Sequence, residues 1–324
     1  MKIEKESKKI TNSKNQLHLH GYENYFNYFV KLFMNKNVPN TILFSGPKGS
    51  GKSTFAYHLI NYFLSKNENN AYSIKNFSID RNNSSFKHLI NNTHPNFFLI
   101  ENNFLENDIK IEQIKKLLKF LNKSTYSKDL KIVLIDNAED LNLNSSNALL
   151  KSVEEPTSNT FFILIHDSYS SILDTIKSRC TEFKFFFTET EKKNIFSKII
   201  KDYNVNYNIN EIPDFYYLDT PGNLIKYFLS LSEANININE NTLKCIFYLI
   251  AKFKIDKNPE TLGFISFFIE KFYNELCIKK SKNFNSYFLN KSKILNQIDQ
   301  IKKFNLDEKN IFIYITDILH NEER

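Results

Sequence analysis

The sequence predicts an α/β fold, with a parallel β-sheet in the first part of the chain and helices in the remainder. Continuous apolar runs are typical of parallel strands buried on both faces. Such runs occur at residues 41–44, 132–135 and 161–165, and a further predicted strand at 183–187 is interrupted only by Lys184. Helical apolar patterns lie between these runs and continue alone from Thr242 to the end. Three of the six glycines fall within residues 46–51, directly after the first run.

Composition and charge exclude few functions. The chain has 324 residues, 43 of them basic and 36 acidic, for a formal charge of +7. This surplus permits contact with nucleic acid but does not require it, because solvated lysine faces produce the same surplus. No apolar run has the length of a membrane span, and the N-terminal segment lacks the apolar core of a signal peptide. We therefore expect a soluble, cytoplasmic protein without a membrane partner.

The cysteines and histidines do not predict a metal site. Cys180, Cys245 and Cys277 are far apart, and no Cys-x-x-Cys spacing occurs. The seven histidines are scattered along the chain. We expect no zinc, no other structural metal and no disulfide framework.

The glycine-rich window has the form of a phosphate-binding loop. "GPKGSGKST" follows the strand at 41–44 and precedes a helical pattern, which is the P-loop arrangement. Glycines let backbone amides converge on phosphates, Lys52 would reach the β- and γ-phosphates, and the Ser53 hydroxyl would bind Mg²⁺. A tight turn without a ligand is the other interpretation. The predicted contacts to ATP or ADP with Mg²⁺ are Gly46, Pro47, Lys48, Gly49, Ser50, Gly51, Lys52, Ser53 and Thr54.

A second carboxylate for Mg²⁺ follows the strand at 132–135. Asp136 ends this run, and the carboxyl ends of parallel strands lie at one edge of a sheet. Many ATPases of this type have a glutamate at the next position, but here it is Asn137, whose amide cannot accept a proton. Glu139 lies two residues further on, about 6–7 Å away if the strand continues. We predict nucleotide binding with poor hydrolysis.

An arginine is retained in "DTIKSRC" although the chain uses lysine almost everywhere else. The three arginines are Arg81, Arg179 and Arg324. A planar, permanently charged guanidinium suits phosphate oxygens better than an ammonium does. The other interpretation of Arg179 is an ordinary surface or salt-bridged arginine.

The segment "NALLKSVEEP", followed downstream by "SRC", resembles the clamp-loader branch of the AAA+ ATPases. "HLHGYENYFNYF" before the P-loop and "THPNFFLIE" after it resemble the delta-prime subunits of bacterial DNA polymerase III clamp loaders. The similarity runs from about His18 to Phe187. It implies that Arg179 is an arginine finger that enters the ATP site of a neighbouring subunit.

The resemblance also implies two sensor positions and a division into three domains. The first sensor aligns with Asp167, and Asn223 stands where a second-sensor arginine would fall. The four zinc-binding cysteines of many relatives are missing. The expected domains are an AAA+ domain (1–187), a helical lid (188–236) and a helical collar for oligomerisation (237–324). Thr188 and Glu191 predict a capping box at the start of the lid, and Pro221 begins its later helix.

The implied function is that of a subunit in a hetero-pentamer with gamma/tau-like and delta-like subunits. That complex loads the sliding clamp onto primed DNA for the replicative DNA polymerase holoenzyme, and this chain's own ATPase would be weak or absent. One alternative is an active motor ATPase subunit whose water is positioned by Glu139. Another is a P-loop kinase or nucleotide switch, for which the chain offers few arginines.

Overall fold

The computed structural model describes residues 12–102, 108–122, 130–157, 159–203, 212–280, 284–304 and 308–323. These residues form two compact units. The first unit contains the described residues up to 203 together with Asp219–Ile225. The second unit contains the described residues from 212 to Leu218 and from Lys226 onward. The boundaries 1–187, 188–236 and 237–324 remain predictions.

A five-stranded, fully parallel sheet forms the centre of the first unit. The strand order is β2-β3-β4-β1-β5. The strands are β1 (Thr41–Gly46), β2 (Phe97–Ile100), β3 (Lys131–Ile135), β4 (Thr160–Asp167) and β5 (Thr181–Lys184). The parallel α/β fold predicted from the apolar runs is therefore confirmed. One boundary was wrong: the last strand covers 181–184 and not 183–187.

Alternate side chains of the central strands are buried on opposite faces of this sheet. In β1, Ile42 and Phe44 belong to one hydrophobic cluster, whereas Leu43 belongs to the other. In β3, Leu134 and Val133 are divided between the two clusters in the same way. Burial on both faces explains why the runs are continuously apolar, since in a strand successive side chains point to opposite sides.

In the described residues of the first unit, seven helices and the beginning of an eighth accompany the sheet. The full helices are α1 (Glu23–Met34), α2 (Lys52–Leu64), α3 (Ser84–Ile90), α4 (Ile111–Leu121), α5 (Leu143–Glu154), α6 (Asp174–Lys177) and α7 (Glu189–Asp202). The capping box predicted for α7 is confirmed. The Glu191 backbone N–H donates to Thr188 Oγ1, and the Thr188 backbone N–H donates to Glu191 Oε2 at 2.8 Å. Helix α8 (Pro221–Ser232) begins at the predicted proline, and its residues from Lys226 onward belong to the second unit.

The second unit is helical, as the apolar spacing predicts. It contains the rest of α8 and α9 (Thr242–Asp256), α10 (Pro259–Lys279), α11 (Phe284–Phe304) and α12 (Glu308–Glu323). Helix α10 carries a buried ammonium: Lys271 Nζ donates to Thr242 Oγ1 at 2.7 Å and pairs with Glu275 Oε1 at 2.7 Å. The aromatic stripes of this region pack inside the unit, with Phe268 and Phe312 fully buried. In the described part of the chain, no helix combines the length and the apolar character of a membrane span.

Candidate functional site

The predicted phosphate loop connects the end of β1 to the start of α2. Gly46 is the last residue of β1 and Lys52 is the first of α2. Gly49 and Gly51 have φ angles of 83° and 88°, a left-handed conformation that glycine adopts without strain. The glycines therefore shape the turn that the sequence motif predicts, at the carboxyl end of a buried parallel strand.

The start of α8 packs directly on this loop. The Gly222 N–H donates to the Gly49 carbonyl at 3.0 Å, and Thr220 Oγ1 donates to the Lys48 carbonyl at 3.0 Å. A Cβ atom on Gly222 would lie 2.5 Å from the Gly49 oxygen, so the two backbones approach as closely as they do only because residue 222 has no side chain. Asn223, the predicted second-sensor position, is also beside the loop: its Oδ1 would be 2.7 Å from a Cβ on Gly49.

Lys52 is buried and its ammonium is held by the loop itself. Nζ donates to the Gly46 carbonyl at 2.7 Å and to the Pro47 carbonyl at 2.8 Å. Burial lowers the pKa of Lys52 to about 8, although the nearby carboxylates of Asp167, Glu139 and Asp136 favour its charged form. A phosphate bound in the loop would meet an ammonium already directed into it.

Ser53 and Asp136 lie together, as the metal prediction requires. The Ser53 hydroxyl donates to Asp136 Oδ1 at 3.1 Å, with Oδ2 at 3.2 Å. Burial raises the pKa of the Asp136 carboxyl, and the Ser53 hydrogen bond opposes this rise. A hydroxyl and a carboxylate are hard oxygen ligands, and Mg²⁺ in such sites takes its other ligands from phosphates and water. These two side chains therefore fit Mg²⁺ bound together with a nucleotide. In the described ranges no cluster of three or more His, Cys, Asp or Glu could hold a metal alone.

Asn137 ends the strand and turns the chain. Its backbone is left-handed, with φ 59° and ψ 66°, and a short 3-10 turn follows at Ala138–Asp140. The extended chain on which the 6–7 Å estimate depended is therefore absent. Glu139 instead points across to β4, where its Oε2 accepts the backbone N–H of Asp167 at 3.2 Å. Burial raises the pKa of the Glu139 carboxyl.

Asp167, the predicted first sensor, is the last residue of β4 and pairs in register with Gly46. Its Oδ1 accepts the Tyr169 backbone N–H at 3.2 Å. Asp167 is also the first of the charges that favour the protonated form of Lys52. The carboxyl edge of the sheet thus brings together the loop, Asp136, Glu139 and Asp167.

Two buried hydroxyls lie close to each other near the loop. They are the Ser50 Oγ and the Tyr22 hydroxyl, on side chains that are 3% and 8% exposed. Burial raises the pKa of Tyr22, so its hydroxyl stays protonated. The sequence motif indicated Ser50, but Tyr22 precedes α1 and had no recognisable signal.

Arg179 is tied to its own chain through only part of its guanidinium. Its Nε donates to Glu154 Oε2 at 2.9 Å, and Nη1 donates to the Thr175 carbonyl at 2.9 Å. The arginine side chain is 32% exposed and that of Glu154 is 54% exposed. Among the described residues, Nη2 has no partner. Arg81 lies exposed in its loop, and Arg324 is outside the described residues.

Arg179 and the phosphate loop lie at opposite ends of the parallel strands: Arg179 is at the amino end and the loop is at the carboxyl end. Arg179 precedes β5, whose first residue, Thr181, pairs with Ile42 near the start of β1. Gly46 lies four residues further along β1, which is about 13 Å of strand. The start of β1 is also joined to the end of α5, because Thr41 Oγ1 donates to the Val153 carbonyl at 3.0 Å. The structure therefore brings together the predicted loop and carboxylates, and separates Arg179 from them.

Comparisons with known proteins agree with this fold. The model of the family "DNA polymerase III, delta subunit" matches residues 21–188. The delta' subunit of DNA polymerase III from Pseudomonas aeruginosa is 41% identical over 90 residues, 28% of this chain and 27% of that protein. The gamma subunit of DNA polymerase III from Buchnera aphidicola is 29% identical over 165 residues, 47% of this chain and 46% of that protein. The aligned regions thus span less than half of these relatives.

A solved structure supports the fold over a larger part of the chain. The gamma subunit-related protein of DNA polymerase III from Thermotoga maritima superposes with a TM-score of 0.51 at 17% identity. That superposition covers 92% of this chain and 99% of the other. The family match extends over more than half of the sequence and includes the loop, all five strands and Arg179. The chain belongs to the delta-prime family of bacterial DNA polymerase III clamp-loader subunits.

Proposed function

We propose that this chain acts in the cytoplasm as one subunit of a hetero-pentameric clamp loader, with gamma/tau-like and delta-like partners. The complex would open a ring-shaped sliding clamp and place it on primed DNA. Within it, Arg179 would serve as an arginine finger for the ATP held by a neighbouring subunit. The chain's own loop would hold ATP or ADP with Mg²⁺ weakly or as a structural ligand.

The separation of Arg179 from the chain's own loop is the observation that carries the proposal. Arg179 precedes the β5 residue that pairs with Ile42, and Gly46 lies about 13 Å of strand further along β1, so the two are at opposite ends of the strands. Its guanidinium is exposed and its Nη2 is bonded to none of the described residues, which suits it to a phosphate on another molecule. The family match supplies the context in which such a neighbour exists.

The poor hydrolysis predicted for this chain follows from the residues beside Asp136. Asn137 has an amide that cannot act as a general base, and its left-handed backbone starts a turn. Glu139 already accepts a hydrogen bond from the Asp167 backbone, so its carboxylate is directed towards β4. Binding requires only the loop, Lys52, Ser53 and Asp136, and these are arranged together.

The finger role is tested in the reconstituted loader. Arg179→Ala should lower the DNA-stimulated ATPase rate at least tenfold, since each tenfold corresponds to about 1.4 kcal/mol of activation free energy. Arg179→Lys should recover little of the rate, because an ammonium does not form the same planar fork. Arg81→Ala is the control, since that arginine lies in an exposed loop. An Arg179→Ala loader with an unchanged rate would remove the finger from the proposal.

An active motor subunit is the second candidate, and the position of Glu139 favours it. The carboxylate lies at the same end of the sheet as Lys52 and Asp136, beside the residues that would hold the nucleotide, and burial raises its pKa. The purified chain alone would then hydrolyse ATP, with turnover lost in Asp136→Ala and in Glu139→Gln but kept in Arg179→Ala. Under the first proposal the purified chain turns over little ATP in any form.

A further inference from the structure

A carboxylate stands beside the exposed arginine on a different structural element. Glu154 is the last residue of α5, whereas Arg179 follows α6, and their side chains meet through the 2.9 Å bond from Nε to Oε2. The end of α5 is fixed in the fold: Val153 is 2% exposed, and its carbonyl accepts the Thr41 hydroxyl. Glu154 therefore reaches the arginine from an element that is fastened to the central sheet.

Two bonds are enough to fix the plane of a guanidinium. The five N–H groups of an arginine lie in one plane with a fixed geometry. Here Nε is held by Glu154 and Nη1 by the Thr175 carbonyl of the preceding turn. The side of the group that carries Nη2 is left without a partner among the described residues, so the two bonds decide which way that side faces.

The exposure of the pair indicates what the contact does. Glu154 and Arg179 are 54% and 32% exposed, and ion pairs between exposed side chains add little to folding stability. A planar group that must meet phosphate oxygens gains more from being held in one orientation before it binds, because small misplacements of a catalytic group cost large factors in rate. The contact therefore fits an orienting role better than a stabilising one.

We propose that Glu154 is a positioning residue for Arg179, holding Nε so that the Nη2 side of the guanidinium is presented to an anionic phosphate group on a neighbouring molecule. This inference rests on the proposed finger role of Arg179. Glu154 itself would not touch the nucleotide. Its carboxylate would act only through the guanidinium.

The chain offers a matched control in the next residue. Glu155 is also exposed and follows the same helix, but in the described residues no side-chain hydrogen bond or ion pair involves it. In the reconstituted loader, with clamp and primed DNA, we expect Glu154→Ala to lower kcat for ATP about tenfold with KM for ATP little changed. In Glu154→Gln, kcat should fall less, because the amide oxygen of glutamine can still accept a hydrogen bond from Arg179 Nε. Glu155→Ala should match the wild type, and all three should melt at the wild-type temperature.

A double variant separates this inference from the function on which it rests. If Glu154 acts through Arg179, then adding Glu154→Ala to an Arg179→Ala loader should change kcat no further. If the Glu154→Ala loader were as active as the wild type, or more active, the positioning role would be overturned. The finger role of Arg179 would still be supported if Arg179→Ala lowered the rate. An equal loss in both backgrounds would also overturn it, since Glu154 would then act elsewhere. If Arg179→Ala itself had no effect, the proposed function would fail first.

Discussion

Replacing Gly222 with alanine tests whether α8 approaches the phosphate loop as closely as the structure shows. The added Cβ would lie 2.5 Å from the Gly49 carbonyl oxygen, which is backbone and has little freedom to move aside. The same oxygen accepts the Gly222 N–H at 3.0 Å, so any displacement also strains that bond. Overpacking of this kind costs about 1–3 kcal/mol, whereas the gain in helix propensity from glycine to alanine is at most about 1 kcal/mol. We therefore expect Gly222→Ala to lower the free energy of unfolding by about 1–2 kcal/mol.

Gly263→Ala is the matched control for this change. Gly263 lies within α10, and a Cβ there would meet nothing within 4 Å. Only the propensity term remains, so we expect this variant to be more stable by about 0.5–1 kcal/mol. The two glycine-to-alanine changes should therefore have opposite signs.

The assay must follow each unit separately, because two units need not unfold in one transition. Urea unfolding gives the sign of each change. Hydrogen exchange monitored by mass spectrometry reports the loop and the start of α8 directly, and exchange there should become faster in Gly222→Ala alone. If Gly222→Ala were stabilising like Gly263→Ala, and exchange at the loop were unchanged, then α8 would not pack on Gly49 in solution and the reasoning would be refuted.

Three further predictions concern single side chains of the first unit. Burial lowers the pKa of His58 to about 3, below the ordinary value of 6.5. Between these two pH values the unfolded chain binds a proton that the folded chain does not. The free energy of unfolding should therefore fall by up to about 1.4 kcal/mol for each pH unit as the pH drops from 6.5 towards 3. His58→Gln should flatten that slope in urea titrations at several pH values. Asn142→Ala removes the side chain that accepts the Ser145 N–H at the start of α5 and should lower the free energy of unfolding by about 1 kcal/mol, whereas Asn142→Ser should retain most of it. Lys52→Met should abolish binding of a fluorescent ATP analogue, measured by anisotropy, without unfolding the chain, because a buried ammonium gives way to an apolar side chain of similar length.

Local sequence patterns were sufficient for the elements of the sheet and for the phosphate loop. The central strands are buried on both faces, so their apolar runs are continuous and visible without any knowledge of neighbours. The last strand was harder to place because it is an edge strand. Thr181 and Lys184 are exposed and the two residues between them are only partly buried. The aromatic rings of Phe185 and Phe187 instead pack on the Tyr22 ring, at centroid distances of 4.7 and 4.1 Å. The aromatic residues that the pattern assigned to the strand therefore lie beyond its end, where they pack against a residue distant in sequence.

The contacts that define the site join residues far apart in sequence. Thr220 and Lys48 are separated by 172 positions, and Arg179 and Glu154 by 25. Periodicity and motifs describe neighbours along one element, so they named Arg179, Asn223 and the loop but could not name the partner of any of them. The turn at Asn137 was also invisible, although asparagine is one of the few residues that adopts a left-handed backbone readily.

The two ends of the parallel sheet differ in how their functional groups are hydrogen-bonded within the chain. At the carboxyl end, the loop carbonyls accept hydrogen bonds from Lys52 and from the start of α8, so these carbonyls are satisfied within the chain. At the amino end, Arg179 leaves part of its guanidinium free and is held by elements that the loop does not contact through any described hydrogen bond. In the proposed complex, a finger offered to a neighbour can therefore stay in place whether or not this chain's own loop holds a nucleotide. A subunit with a weak ATPase of its own would need this, because Arg179 could then support hydrolysis in the neighbouring subunit whatever the state of its own loop.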